Sequence, residues 1–411
     1  MIWKLFKRKP KLPANYKSVI DTQSLEIIQK LQDAGYPAYL VGGCVRDILL
    51  NIAPKDFDMA TSANPFRVKA LIERSQIIGK RFRIVVARRR KLVQGSRQML
   101  FPPLDKSKLF REFQITTFRR APEKTMSGQL NENVFGSERE DAERRDFTLN
   151  GLFLDPFKNK IVDYVGGERD IAHKQLRTIG NPHMRFEEDP IRMLRALRFS
   201  LRLNFDFEKN TFRALKEQAR FLGSAKRERT REEFLKMARE GYLCPFIDKT
   251  QSVGLLKHIS PGLDKHLLQH GQDFHKLLKM MDTVVQKYPW PNQHLSAPFF
   301  FLLLTQFNDH KHLSWSKELF SLKDDFLISK AEIISLENLH QLFNRVLRNP
   351  KSSQKMFFLM RRSIETQAQF FYVLKILAEI WGSPYDKIWA ENEDLWKELK
   401  QRHFSQRQRN F

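Results

Sequence analysis

With 411 residues, the chain exceeds the size at which one core stays compact, so about two to four domains are expected. Its 72 Lys+Arg against 47 Asp+Glu leave a net charge of +25 and a pI near 10.0, more than solubility needs, which points to a polyanionic partner, nucleic acid ahead of membrane. Two cysteines, Cys44 and Cys244, are too few for a disulfide framework or a structural zinc site, which excludes the disulfide-rich secreted class and fits a reducing cytoplasm.

Met1–Lys11, MIWKLFKRKPK, lacks the uninterrupted apolar core of a secretory signal and reads as a basic flexible arm within residues 1–20. Contact with RNA or with an anionic membrane surface is open to it, beside a plain frayed terminus. Leu25, Ile28 and Leu31 recur at helical spacing and predict a helix over Ser24–Gln32, ending near Gly35. Ala38-Tyr39-Leu40-Val41 then predicts a strand, broken at Gly42-Gly43 and continued by a helix over Val45–Leu50. Such a strand, glycine turn and helix start let backbone N–H groups approach a phosphate, with Arg46 adding a charge-assisted contact. Cys44, inside this turn with no histidine before His173, reads as a small packing residue.

Asp56-Phe57-Asp58 follows. On a strand, residues two apart share a face, so both carboxylates project together and offer the hard oxygen ligands that Mg²⁺ takes beside substrate phosphates. The chemistry indicated is phosphoryl or nucleotidyl transfer. A helix over Pro65–Glu73 leads to a strand over Arg81–Val86, with Arg81 and Arg83 on one face. The basic segment from about 87 to 111 interrupts the strand pair, and its Arg88-Arg89-Arg90-Lys91 run reads equally as an RNA contact or a solvated hairpin tip. Pairing resumes at Phe113–Arg119. Glu138–Asn150, EREDAERRDFTLN, predicts one helix with Asp146 and Asn150 on a shared face and Arg145 adjacent; Ile161–Gly167 predicts the strand and turn that close the sheet.

Beyond this point strand signals fade. In RFEEDPIRMLRALRF, Arg185–Phe199, Pro190 suits a first helical position with Asp189 as N-cap; Ile191, Leu194 and Leu197 form a core stripe, and Arg192, Arg195, Arg198 and Arg202 a basic one on another side. KRERTREEFLKM, Lys226–Met237, is a charged helix in which Glu228, Arg231 and Glu232 have neighbours for internal ion pairs. Residues 246–411 read as wholly helical. Phe299–Leu304 and Phe357–Met360 are buried helical runs too short to cross a bilayer, and Arg345, Arg348, Lys351, Arg361 and Arg362 form a candidate RNA-contacting cluster. His266 and His270 lie four apart on a helix, which is more often a packed or solvated face than a ligand pair.

The motifs LVGGCVRD, DFD, RRDFTLN and EEDPIR, in this order, resemble the class II nucleotidyltransferase superfamily, which holds bacterial poly(A) polymerases and CCA-adding tRNA nucleotidyltransferases. The resemblance is close over about 36–240 and loose beyond. It implies an α+β fold: a catalytic head over 21–170 with a small mixed sheet and helices, an α-helical neck over 171–245 and an α-helical body over 246–411. It further implies ATP as substrate, RNA 3′ ends as partner, Asp56 and Asp58 as ligands of Mg²⁺, and Asp146 as a third acidic group. Gly42, Gly43 and Arg46 would cradle the triphosphate with Asp47 orienting Arg46; Arg144, Arg145 and Asn150 would face phosphates and ribose. Glu188, Asp189 and Arg192, with Arg195 in the same nucleotide-binding set, would read the base. A carboxylate that accepts from an exocyclic amine and an arginine that donates to a ring nitrogen select adenine and cytosine over guanine and uracil. The family's strand glutamate is replaced here by Gln114, with Glu112 two residues earlier on the same face. The strings IIGKRFRIVV, VFGSEREDAERRDF and DYVGG are closer to the poly(A) branch, whereas Val86 and the string around Glu228 lean away from it. Three functions stay open: a poly(A) polymerase, a CCA-adding enzyme, and a catalytically weakened RNA-binding scaffold.

Overall fold

The structure is a computed structural model, described over residues 12–79, 83–90, 110–120, 123–124, 130–131, 134–287, 305–309, 312–315 and 322–348 and over short helical pieces at 373–375, 377–378 and 386–390. It is mixed α+β. Two compact units are present, Met1–Arg185 with Asn204–Phe212, and Phe186–Leu203 with Arg213–Phe411.

The first unit opens with α1 (Thr22–Asp33), capped by the Asp21 carboxylate accepting from Gln23 N at 2.9 Å. β1 (Ala38–Val41), α2 (Gly43–Leu49), β2 (Met59–Thr61), α3 (Pro65–Leu71), β3 (Ser75–Ile78), β4 (Ile84–Arg90) and β5 (Phe110–Thr117) follow. A short antiparallel pair, β6 (Glu123–Lys124) and β7 (Leu130–Asn131), precedes α4 (Glu138–Glu143), β8 (Leu152–Asp155), β9 (Lys160–Asp163) and α5 (Gly167–Ala172). The seven-stranded sheet has the order β3-β4-β5-β2-β1-β8-β9, parallel only between β2 and β5. Edge strand β9 closes it within the segment expected.

Registered partners Leu40, Met59, Ile115 and Val85 share one buried face. Val41, Ala60, Phe118 and Phe153 form a cluster with Ala142 of α4, with Phe118 and Phe153 edge to face at 6.1 Å. Capping of α4 explains its position. Ser137 and Glu140 make a reciprocal capping box.

Three expectations in this unit need correction. Arg88, Arg89 and Arg90 belong to β4, paired with Glu112, Arg111 and Phe110, so the interruption begins after Arg90. The predicted helix over Glu138–Asn150 stops at Glu143; a turn and a 3-10 turn at Thr148–Asn150 follow, because Phe147 is drawn into a bridge with Thr178. Asp56 and Asp58 precede β2 instead of lying within it, although Val41 N still bonds to Asp58 O at 3.0 Å. Arg81 and most of the basic interruption lie outside the described residues.

The chain leaves the first unit after β10 (Gln175–Leu176) and the first turn of α6 (Pro182–Glu188), forms α7 (Ile191–Leu203), and returns as β11 (Asp206–Phe207), parallel to β10. Helices α8 (Lys209–Glu217), α9 (Arg227–Glu240), α10 (Leu243–Ser252), α11 (Leu256–Ile259) and α12 (Pro261–Lys287) follow. In the second unit Phe234 packs edge to face on Phe246 at 5.1 Å and on Phe326 at 4.9 Å. His266 packs edge to face against Phe274 at 5.3 Å, the packed alternative to a ligand pair.

One more expectation fails in this unit. The region after 246 is not wholly helical, since β12 (Thr305–Asp309) and β13 (His312–Trp315) pair antiparallel, with a register irregularity between Phe307 and Asp309. The basic stripe of α7 reaches the core at one position. Arg198 is buried and bonds to Glu233 at 2.6 Å, with Lys236 Nζ on the same carboxylate at 3.0 Å. Of the RNA-contacting candidates, Arg345 and Arg348 are exposed on the helix Lys330–Arg348; Lys351, Arg361, Arg362, Met1–Lys11, Phe299–Leu304 and Phe357–Met360 lie outside the described residues. Among the described residues no helix is long and apolar enough to cross a membrane.

Burial alone would raise the Glu233 carboxyl, but the Arg198, Lys236 and Arg195 charges override it and hold its pKa below the ordinary value. Glu233 therefore stabilises the fold above the unfolded carboxyl range, and that contribution is lost as pH falls through its lowered folded pKa. The gap in urea midpoint between wild type and Glu233→Gln is expected to hold at neutral pH and to shrink below about pH 4.3. Arg198→Ala, which strands the buried carboxylate, is expected to cost about 3 kcal/mol.

Candidate active site

The site begins where β1 ends. Gly42 adopts φ +72° and ψ −126°, a conformation open to glycine, and a Cβ there would stand 3.1 Å from Arg145 Nη1. Its N–H donates to Leu152 O at 3.2 Å, which fixes the turn to β8. Gly43 starts α2. Cys44 is buried, its thiol donating to Val41 O at 3.3 Å, and burial followed by the Asp58 charge pushes its pKa to about 12. It is a packing residue, as read from the sequence.

Arg46 turns inward. It is 3% exposed; Nε and Nη2 donate to Asp47 Oδ1 at 2.8 and 2.6 Å, and Nη1 to Asn150 Oδ1 at 2.7 Å. Asn150 Nδ2 donates in turn to Asp146 Oδ1 at 3.0 Å, an oxygen that also accepts from Phe147 N at 2.8 Å. Arg46, Asp47, Asn150 and Asp146 thus form one connected set behind the turn.

The guanidinium at the turn itself is Arg145, which stacks over Phe153 at 5.2 Å. The buried Asp141 holds it through Nη2 at 2.9 Å, holds Arg144 Nε at 3.2 Å, and accepts from Arg119 N at 3.2 Å. Arg185 Nη2 braces the same turn through Arg144 O at 2.6 Å and Arg145 O at 2.7 Å. Neither Asp141 nor Arg185 was singled out in the sequence. A carboxylate three and four residues before two arginines is the signal that would have found Asp141.

Asp56 and Asp58 are exposed while Phe57 between them is buried, and the Asp56 charge acts on Asp58. Asp58 stands two residues before Ala60 of the Phe118–Phe153 cluster. Its pKa is raised, first by desolvation where the carboxyl meets the protein and then by the Asp56 charge, with Arg145 acting in the opposite sense. Gln114 lies on β5 opposite Val86 and next to Ile115, the partner of Met59. Glu112 is engaged elsewhere, bonded to Arg88 at 2.8 Å.

The predicted base-reading residues Glu188, Asp189, Arg192 and Arg195 belong to the second unit. Arg192 Nη1 donates to Glu188 Oε2 at 3.1 Å, one helical turn away. Arg229 of α9, which the sequence did not single out, grips both oxygens of Asp189 at 2.8 and 2.9 Å. Arg195 lies over Phe199 at 5.4 Å.

Residues 38–177 match the family model described as "Poly A polymerase head domain", and residues 204–267 match "Probable RNA and SrmB- binding site of polymerase A". Poly(A) polymerase I of Salmonella typhimurium is 35% identical over 258 residues, 61% of this chain and 52% of that protein. The CCA-adding enzyme of Bacillus pumilus is 34% identical over 249 residues, 60% of this chain and 57% of that protein. The chain spans about half the length of the curated relatives it matches. The CCA-adding enzyme of Bacillus stearothermophilus, solved in complex with CTP, shares the fold with a TM-score of 0.62 at 23% identity, over 93% of this chain and 82% of that one. Through these matched segments the chain is similar to bacterial poly(A) polymerases and CCA-adding enzymes, with a poly(A) polymerase head domain over residues 38–177.

Proposed function

We propose that the chain is a template-independent RNA nucleotidyltransferase of the cytoplasm that adds AMP from ATP to RNA 3′ ends and releases pyrophosphate, a poly(A) polymerase. The observation that carries the reaction class is the exposed Asp56–Asp58 pair with the Gly42 turn and Arg145 beside it in one unit. The basic composition and the match to the RNA-binding segment support RNA as the second substrate.

Asp56 and Asp58 would hold Mg²⁺. Their chemistry fits: two hard oxygen donors stand near enough for the Asp56 charge to add to the desolvation that raises Asp58, and a cation bound by both offsets each effect. Bound there, two such ions would activate the RNA 3′-hydroxyl for in-line attack on the α-phosphorus of ATP and neutralise the leaving pyrophosphate. The chain's own groups bind and orient. The Gly42-Gly43 turn leaves room for the triphosphate, and Arg144 and Arg145 meet its charge. Arg46, fixed by Asp47, holds the turn from within through Asn150, and Asp146 keeps Asn150 aligned. Glu188, Asp189 and Arg192, flanked by Arg195, read the amine and ring nitrogen of adenine.

A CCA-adding activity is the second reading, since the Bacillus pumilus enzyme at 34% identity is about as similar as poly(A) polymerase I at 35%, and the string around Glu228 leans toward it. Supplying ATP or CTP with Mg²⁺ to generic RNA and to tRNA lacking its CCA end separates the readings. Long A tails on generic RNA are expected; CCA restored on tRNA identifies the second activity, and binding without incorporation leaves only the weakened scaffold.

Asp58→Ala is expected to abolish incorporation while sparing RNA binding in a filter assay; full activity in that variant refutes the metal assignment. Arg229→Ala frees the Asp189 carboxylate, so the preference for ATP over UTP is expected to fall about tenfold or more, the scale of one oriented charge-assisted hydrogen bond. Competition between labelled nucleotides reads that ratio.

A further inference from the structure

Helices α10 and α12 carry a cluster that the proposed reaction does not use. Cys244 and Asp248 stand one turn apart on α10 and meet His275 of α12. Cys244 Sγ lies 3.6 Å from His275 Nδ1 and 3.8 Å from Asp248 Oδ2, and that Nδ1 lies 3.2 Å from the same Asp248 oxygen. Three different ligand types therefore form one small triangle.

Its edge lengths match those of a tetrahedral site, although the sulfur stands 3.6 and 3.7 Å from the two ring nitrogens, so the exposed His275 ring turns one nitrogen inward on binding. With Zn–S near 2.3 Å and Zn–N or Zn–O near 2.0–2.1 Å, sulfur must stand about 3.5 Å from each neighbouring ligand atom, and nitrogen about 3.3 Å from oxygen. The observed distances agree to within about 0.3 Å. The sulfur is held in place from behind: Asp282 of α12 accepts from Leu243 N and Cys244 N, both at 2.8 Å, tying the first turn of α10 to α12. Burial, followed by the Asp248 and Asp282 charges, pushes the Cys244 thiol pKa up to about 12 with Lys279 opposing, so the bare cluster holds a thiol that an ion must deprotonate on binding. Cys244 is buried and His275 exposed, which gives an ion an entrance and an open fourth position for water.

We propose that Cys244, Asp248 and His275 bind one Zn²⁺ that clips α10 to α12. Thiolate with imidazole selects zinc over the Mg²⁺ that Asp56 and Asp58 would take. On binding, the S–H bond is replaced by S–Zn and its proton passes to solvent, without redox change. The ligands are missed in the sequence because they are split between two helices, with 31 residues separating Cys244 from His275.

The test uses the full chain, stripped with chelator and titrated with Co²⁺ at neutral pH. One equivalent of thiolate-to-cobalt charge-transfer absorption is expected, displaced by Zn²⁺; Co²⁺ on the two aspartates gives none. Cys244→Ser is expected to remove the band, Cys44→Ser to leave it, and His275→Gln to weaken binding by at least ~10-fold, the loss that even an outer-shell partner causes. Zn²⁺ is expected to raise the thermal midpoint of wild type but not of His275→Gln, a variant at an exposed position that keeps its fold. No charge-transfer band in wild type, or a band that survives in Cys244→Ser, overturns the site and leaves an Asp248–His275 hydrogen bond beside a buried thiol.

Discussion

The head depends on one buried positive charge. An arginine stays ionised in a protein interior and brings five N–H donors, so it is tolerated there only where acceptors surround it. Arg46 finds them in its neighbour Asp47 and in Asn150, 104 residues further along the chain. A single guanidinium thus fastens the helix after the glycine turn to the segment that enters β8. Through the Asn150–Asp146 bond the same charge also steadies the turn that carries Arg145.

Outside this buried set the charges are sorted by depth. Asp141 spends its carboxylate on Arg144 and Arg145, so those side chains are aimed without being neutralised by an exposed partner. Asp56 and Asp58 are left to face solvent together, with Arg145 the cation that acts on Asp58. Carboxylates on one side and guanidinium groups on the other suit a metal-bound polyphosphate, which needs both signs of charge at once.

Much of this was legible in the sequence because it is local. The strand, glycine turn and helix of residues 38–49 follow from propensity and from a backbone conformation at Gly42 that glycine adopts without strain, and the Asp-x-Asp pair is exposed on either side of a buried Phe57. Asp146 and Asn150 do meet, but around a turn and not along a helix; the spacing was right and the geometry different. What could not be read is set by distant partners. Arg198 looks like its neighbours on the stripe until Glu233, 35 residues away, takes it into the core. Arg88–Arg90 look like a loop until β5 supplies their register. The antiparallel pair of β12 and β13 hides among helices because four or five residues are too few to show a period.

The parallel pairing of β10 with β11 has its own consequence. Leu176 and Phe207 are registered neighbours, yet the whole of α7 is threaded between them as an excursion. During synthesis, β10 therefore waits for some thirty further residues to emerge before its partner strand exists. A fragment cut where the head's family match ends, at residue 177, would carry an unpaired edge, and a stable excised head must run through Phe212, taking the arginine-rich helix with it.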